Sequence, residues 1–288
     1  MRLLPPLVLT MAVLAAGCAP ALKTTTPPAV QAGMQSAVSV SANMPEKKYL
    51  PNQAGYIEGT RYIFMQTGGG SILLGPIFGS MNVSRLSQEM AKQYKDSVIQ
   101  VDPLPASTAA LEAAGIKASG EAAAFNLKPF VFVQRCDDER FRLALVFHVD
   151  NANTKWTGRY TYHLQSVYTD KELAQFSEAQ LDQYKKELNT GATALAGLVK
   201  RDLKGDLPAT GKRVNLGSLN LLGSKMGGLG IYTKPEDMYF ANSQILEETD
   251  EYVIARVPGM MESNVFGGAI AYGVQRLAKN QIHTMKPY

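Results

Sequence analysis

Residues 129–164 read "PFVFVQRCDDERFRLALVFHVDNANTKWTGRYTYHL", and no other stretch limits the fold of this chain so much. Three runs of alternating character are separated by "DD" and "DNANTK". A period of two sends successive side chains to opposite faces, so three such runs joined by turn residues form an antiparallel meander. A two-residue turn at Asp137–Asp138 sets Phe132 opposite Leu143 and Phe130 opposite Leu145. A turn within "NANT" sets Leu145 opposite Tyr160 and Leu143 opposite Tyr162. In that register the large residues of all three strands share one face, an agreement that a slip of one residue destroys.

A long helix follows. "TDKE" at 169–172 and "SEAQ" at 177–180 have the spacing of capping boxes, in which a hydroxyl and a returning carboxylate or amide satisfy free backbone amides. Leu181, Tyr184, Leu188, Leu195, Leu198 and Val199 form an apolar stripe suited to cover the apolar side of the meander. Gly191 interrupts it, at a cost of about 1 kcal/mol relative to Ala. Upstream, "YIEGTRYIFMQT" at 56–67 predicts the first strand. Leu86, Met90 and Tyr94 predict a helix, "SVIQV" a strand, and 107–114 a short Ala-rich helix. The glycines of "GGGSILLGPIFGS" fit a tightly turned connection or an apolar contact loop. They are not a phosphate cradle, since no "GK[ST]" follows and no GxGxxG is present.

Downstream, "GSLNLLGSKMGGLGIYTKPED" reads as irregular and "MYFANSQILEETDEYVIARVPG" as a hairpin turning at "ETDE". "ESNVFGGAIAYGVQRLAKNQIHTM" reads as a closing helix whose Gly267, Gly268 and Gly273 permit close approach of a neighbour. Gln275 and Arg276 break it, so it is not a membrane span. The expected class is α+β: an antiparallel meander covered by a long helix, with a C-terminal hairpin and helix.

The first residues have the layout of a secretory signal. Arg2 precedes a mostly apolar run from Leu3 to Ala16, shorter than the ~20 residues a span requires. With Leu14 just upstream, "AAGC" at 15–18 resembles the lipobox of bacterial lipoproteins. That resemblance covers residues 1–18 and implies cleavage before Cys18, lipidation of its thiol and acylation of its new amino group. Two or more acyl chains hold a protein firmly at a membrane, each buried methylene contributing about 0.8 kcal/mol. In Gram-negative lipoproteins an Asp after the cysteine favours retention in the inner membrane; Ala19 resembles the opposite case, which implies the outer membrane, facing the periplasm, if the cell is Gram-negative. The expected organisation is thus a signal peptide over 1–17, a lipidated Cys18 with a flexible tether over 18–52, and one α+β domain over 53–288. A tether of about 30 residues gives an end-to-end distance near ~30 Å.

With 29 basic and 25 acidic residues the net charge is +4, too mild to argue for nucleic acid. With Cys18 lipidated, Cys136 has no partner for a disulfide and is expected to be a buried, inert thiol. No HExxH, GxSxG or SxxK spacing occurs, and "CDDE" reads as a turn. In the expected register His148 and His163 are about six residues apart along the ladder, near ~20 Å, too far to share a metal. No metal or cofactor is expected.

One constellation emerges from the register. Arg135, Arg140, Arg142, Arg159, His148 and His163 fall on the side of the meander opposite Phe132, Leu143, Leu145 and Tyr160. Guanidinium forks on adjacent strands suit carboxylate or phosphate, so this face is a candidate surface for an anionic partner, or else a solvated face balanced by acidic groups. The leading expectation is a non-catalytic, lipid-anchored envelope protein that binds a protein partner as an assembly or accessory factor. A lipid or small-ligand binding module and an envelope hydrolase of unrecognised type are the alternatives.

Overall fold

The computed structural model describes residues 24–28, 37–51, 53–66, 75–95, 101–118, 123–135, 140–151, 153–222, 225–226, 231–232, 236–258 and 272–288. The expectations for the signal sequence, Cys18, the glycines at 68–70, "SVIQV" up to Gln100, Cys136 and the Asp137–Asp138 turn lie outside these residues. In chain order the elements are β1 (Ala37–Val40), β2 (Gly55–Tyr56), β3 (Tyr62–Gln66), α1 (Gly75–Gln93), α2 (Pro103–Ala113), β4 (Lys117–Ala118), β5 (Phe125–Arg135), β6 (Arg140–Asn151) and β7 (Thr157–Thr169). They continue with α3 (Asp170–Ala174), α4 (Glu178–Lys204), β8 (Lys212–Leu222), β9 (Lys225–Met226), β10 (Ile231–Tyr232), β11 (Glu236–Glu248), β12 (Tyr252–Val257), β13 (Gly273–Ala278) and β14 (Ile282–Pro287). Helices packed on a mostly antiparallel sheet make this an α+β protein.

The main sheet has twelve strands in the order β14-β8-β11-β12-β13-β7-β6-β5-β1-β4, with β3 also on β5 and β2 on β3. β5, β6 and β7 form the meander at its centre. The outer edge of β5 takes two parallel partners in turn, β1 at Phe125–Leu127 and β3 at Val131–Arg135. Pro129, with no amide hydrogen to give, falls in the gap between them.

The pairing differs from the expected one in an instructive way. Across β6 and β7, Leu145 faces Tyr162 and Phe147 faces Tyr160, a displacement of two residues that leaves every side chain on its expected face. Across β5 and β6, Phe132 faces Ala144 and Phe130 faces Val146, a displacement of one that turns β5 over. The large residues therefore divide between the two faces. This is stable because both faces are covered. Val131, Val133, Leu143, Leu145, Tyr160 and Tyr162 pack in one core with the stripe of α4 and with residues of α1 and α2. Phe130, Phe132, Ala144 and Val146 pack in a second core with Val214, Leu216, Phe240, Val253 and Leu277.

The second core is closed by the sheet itself. β11 is three strands from β7 in the sheet order, yet the Phe240 ring lies 6.3 Å from the His163 ring. Gln281, just before β14, donates to the carbonyl of Leu164 at 2.9 Å. Strands β8 and β11 to β14 thus curl over the face of the meander that α4 leaves uncovered.

Local signals position the helices. Thr169 and Ser177 both form complete capping boxes, with Glu172 and Gln180 returning to the cap amides, and Gly205 ends α4 in the left-handed conformation. Asp102 caps α2 from the amide of Leu104, with Pro103 in the first turn. The expected hairpin at "ETDE" is present, as β11 ends at Glu248 and β12 begins at Tyr252.

Three expectations are corrected. The closing helix is absent from Tyr272 onward: "GVQRLA" is β13, buried between β12 and β7, and β14 pairs with β8. A short apolar run enclosed on both faces has no period that separates strand from helix. Of the stretch expected to be irregular, 217–222 closes β8, which pairs with β11, and Lys225–Met226 pairs with Ile231–Tyr232; 223–224, 227–230 and 233–235 lie outside the described residues. The tether does not run free to residue 52, because β1 lies in the sheet and Leu50 and Ala54 are in the second core.

Candidate functional site

The structure separates the six candidate residues into two groups. Arg135, Arg140 and Arg142 lie at the end of the strands where β5 closes and β6 opens, with Arg140 paired to Thr169 and Arg142 to Val167. Arg140 is exposed and the other two are half-buried. Contrary to the expected register, β5 is turned over, so Arg135 lies on the opposite face of the sheet from Arg140 and Arg142, with its guanidinium 5.7 Å from the centre of the Phe141 ring. Four residues at about 3.4 Å each separate the ladder positions of His148 and His163 along β6, roughly 14 Å.

The second group is not a surface. His148, Arg159 and His163 are 0%, 1% and 3% exposed. Because β8 and β11 to β14 cover this face, these three members of the candidate anionic-partner surface are interior. Arg159 donates to the carbonyl of Tyr49, and its guanidinium carbon lies 5.9 Å from the ring centres of Phe130 and Phe132 and 5.3 Å from that of Tyr272. Burial lowers its pKa to about 10, which leaves it charged at neutral pH. Aromatic faces and a backbone carbonyl take the place of water around that charge.

Beside it, His148 faces Arg159 on one side and Lys128 on the other. His148 Nε2 is 2.7 Å from Asp150 Oδ1, and Lys128 Nζ is 2.5 Å from Asp150 Oδ2. Burial lowers the pKa of His148, so the charged partner of Asp150 is Lys128. Burial alone would raise the Asp150 carboxyl, but its hydrogen bonds and nearby positive charge bring it to about 2. An Asp–His pair is the start of a proton-relay device, which requires a hydroxyl or thiol on the far ring nitrogen. Here Nδ1 is buried without a hydrogen-bond partner, and the Tyr49 ring lies 4.9 Å from the imidazole centre. The pair is built to hold the interior together.

His163 is enclosed in the same way. Its Nε2 is 2.9 Å from Gln275 Oε1, and burial, with the charge of Arg142, lowers its pKa to about 4.

A third arrangement had no signal in the sequence. "TTTPP" at 24–28, expected to be tether, lies against the folded domain. The Gly273 amide donates to Thr24 Oγ1 at 3.0 Å, and the Trp156 indole donates to the Thr25 carbonyl at 3.3 Å. The indole lies over Gly158, where a Cβ would come within 2.4 Å of its Cη2. Thr26, Pro27 and Pro28 form one wall of a cleft of about 450 Å³ whose other wall is the end of α4 and residues 205–209. Asp202, in its lining, accepts from Arg256 at 2.6 Å and, on the other carboxylate oxygen, from the Tyr160 hydroxyl at 2.9 Å. Among the described residues no group of three or more His, Cys, Asp or Glu is placed to hold a metal, and no helix is long and apolar enough to cross a membrane.

No family model matches the chain, and no curated protein matches it. Among solved structures, part of the chain is similar to one described as a "putative lipoprotein from Caulobacter crescentus CB15". The match has 16% sequence identity, covers 36% of this chain and 81% of that one, and has a TM-score of 0.24.

Proposed function

We propose that this chain is a non-catalytic, lipid-anchored protein of the cell envelope. Cys18 carries the lipid, and the domain binds a protein partner as an assembly or accessory factor, at the outer membrane facing the periplasm. The observation that supports this reading is the division of the charged groups. The histidines and carboxylate that have the chemistry for proton transfer, His148, His163 and Asp150, are enclosed or held in interior pairs. The arginines that suit recognition, Arg135, Arg140 and Arg142, gather at one end of the meander, where β5, β6 and β7 come together at the surface. Arg140 and Arg142 share one face of β6 and Arg135 lies on the other face of the sheet, so this end is basic on both sides; guanidinium forks match carboxylates geometrically, and the partner it fits is an acidic protein surface.

Two experiments test the reading. Metabolic labelling with a palmitate analogue should mark the native chain and not Cys18→Ala, and equal labelling of both would overturn the anchor. A pull-down from cross-linked envelopes should lose its partner when Arg135, Arg140 and Arg142 are all replaced by Gln. Charged contacts enclosed in an interface are each worth about 2–5 kcal/mol, so capture should fall at least tenfold. Unchanged capture would remove this end as the binding surface.

The cleft of about 450 Å³ favours a second reading, a small-ligand binding module. A small molecule co-purifying with the native chain, and lost when the 24–28 segment is deleted, would favour it over the first.

A further inference from the structure

The position of Thr24 has a consequence for how the domain sits at a membrane, given the reading above that Cys18 is lipidated. Thr24 and Thr25 are held by Gly273, which opens β13, and by Trp156, which precedes β7. Both lie at the same end of the sheet, since Gly273 occupies the ladder position next to the Val274–Tyr160 pair. Thr24 is six positions along the chain from Cys18. A chain spans at most about 3.3–3.6 Å per residue, so the anchor lies within roughly 20 Å of the point where the domain grips its own N-terminal segment. A free tether reaching residue 52 would stretch beyond ~100 Å. The thirteen residues of β7 cover about 40 Å. The leash is therefore about half as long as the central strand, and it is fixed at one end of that strand.

We infer that the end of the sheet carrying Trp156, Gly273 and the start of β7 rests against the lipid surface, and that the Arg135, Arg140 and Arg142 end points away from it. The residues at the near end are of the right chemistry. Trp156 is the chain's single tryptophan, half-buried, with its apolar ring over Gly158 and its N–H already bonded to Thr25. Lys155 beside it is exposed. An aromatic ring with one polar edge next to a cation is the pairing found at the level of lipid headgroups. The short leash thus presents the arginine end to the periplasmic space while keeping the domain on the bilayer.

The test uses the full lipidated chain in vesicles of phosphatidylethanolamine and phosphatidylglycerol containing a dansyl-headgroup lipid. Energy transfer from Trp156 to the dansyl groups reports the height of the near end. It is compared with two variants. One carries about twenty Gly/Ser residues between Lys23 and Thr24, which add roughly 25 Å of flexible reach. The other combines Trp156→Phe with Lys171→Trp and moves the donor to the far end. Transfer from the native chain should exceed both by several-fold. Transfer from Trp156 no greater than from position 171, with the protein still floating with the vesicles, would overturn the orientation alone. Flotation equal for the native chain and Cys18→Ala, or absent from both, would overturn the anchor and with it the orientation.

Discussion

A Cβ placed on Gly191 of α4 would stand 2.8 Å from Cδ1 of the Tyr162 ring on β7. Glycine at this point is therefore the condition for the helix to lie flat on the meander, and the small loss of helix propensity is the lesser effect. Gly197, two turns further on in the same helix, has nothing within 4 Å of its would-be Cβ. The two positions predict opposite outcomes. Gly197→Ala should stabilise the protein by about 0.5–1 kcal/mol, the ordinary helix gain. Gly191→Ala forgoes that gain by forcing Tyr162 or the helix to move, and should destabilise by about 1–3 kcal/mol. Urea midpoints of the two variants decide it, and a shift of the same sign in both would refute the packing argument.

The arginines of the meander should divide as their burial does. Replacing Arg159 by Gln leaves the Tyr49 carbonyl without its donor and a gap among three aromatic rings. The expected loss is about 2–4 kcal/mol. Arg142→Gln, at a half-buried position, should cost less than about 1 kcal/mol. Equal effects of the two on the urea midpoint would contradict the enclosure of Arg159 by the curled sheet.

What was legible in the sequence was what is local. The caps at Thr169 and Ser177, the turn after Glu248 and the stripe of α4 are each specified by residues within a turn or two of one another. The parity of β6 against β7 was legible as well, because a slip of two preserves faces. The parity of β5 was not. A single apolar face predicts the wrong parity once strands β8 and β11 to β14, more than forty residues further along the chain, cover the other side. The same covering turned His148, Arg159 and His163 from surface into interior, and made "GVQRLA" a buried strand. β1 and the docked Thr24 and Thr25 depend on partners as distant as Phe125 and Gly273, and no local pattern in "TTTPP" or "AVSV" marks them.

Burial of His163 sets the direction of the pH dependence. Its folded pKa is about 4 against an ordinary 6.5, so the folded state resists the proton that the unfolded chain accepts. The associated stability is complete above about pH 6.5 and is lost as pH falls toward 4, by about 3 kcal/mol at the limit. His148, lowered by the same cause, acts in the same sense. Asp150, at about 2, stays ionised throughout. Asp202, raised by burial, acts in the opposite sense nearer the carboxylate range. Urea midpoints measured from pH 8 to pH 4 should be level at first and then decline below about 6.5. His163→Gln should flatten that decline, and a decline unchanged in this variant would place its cause elsewhere.

The Asp202–Arg256 pair beneath the 24–28 segment offers the sharpest test of how the interior is balanced. Both side chains are 4% exposed, and besides each other they bond the Tyr160 hydroxyl and the carbonyls of Pro208 and Ala209. Two charges taken out of water recover their hydration only through such partners, so removing one is far worse than removing both. Asp202→Ala leaves a buried guanidinium without its counter-charge and should cost about 3–5 kcal/mol. The combined replacement Asp202→Leu, Arg256→Met and Tyr160→Phe removes both charges and the hydroxyl at once, leaving only the long bonds of the Pro208 and Ala209 carbonyls unmade. It should lie within about 1–2 kcal/mol of the native protein, despite three substitutions in place of one. Additive losses in the triple variant, measured by urea unfolding, would mean that the network stabilises the fold outright. Near-neutrality would mean that it serves to fix the end of α4 against β12, where the N-terminal segment docks.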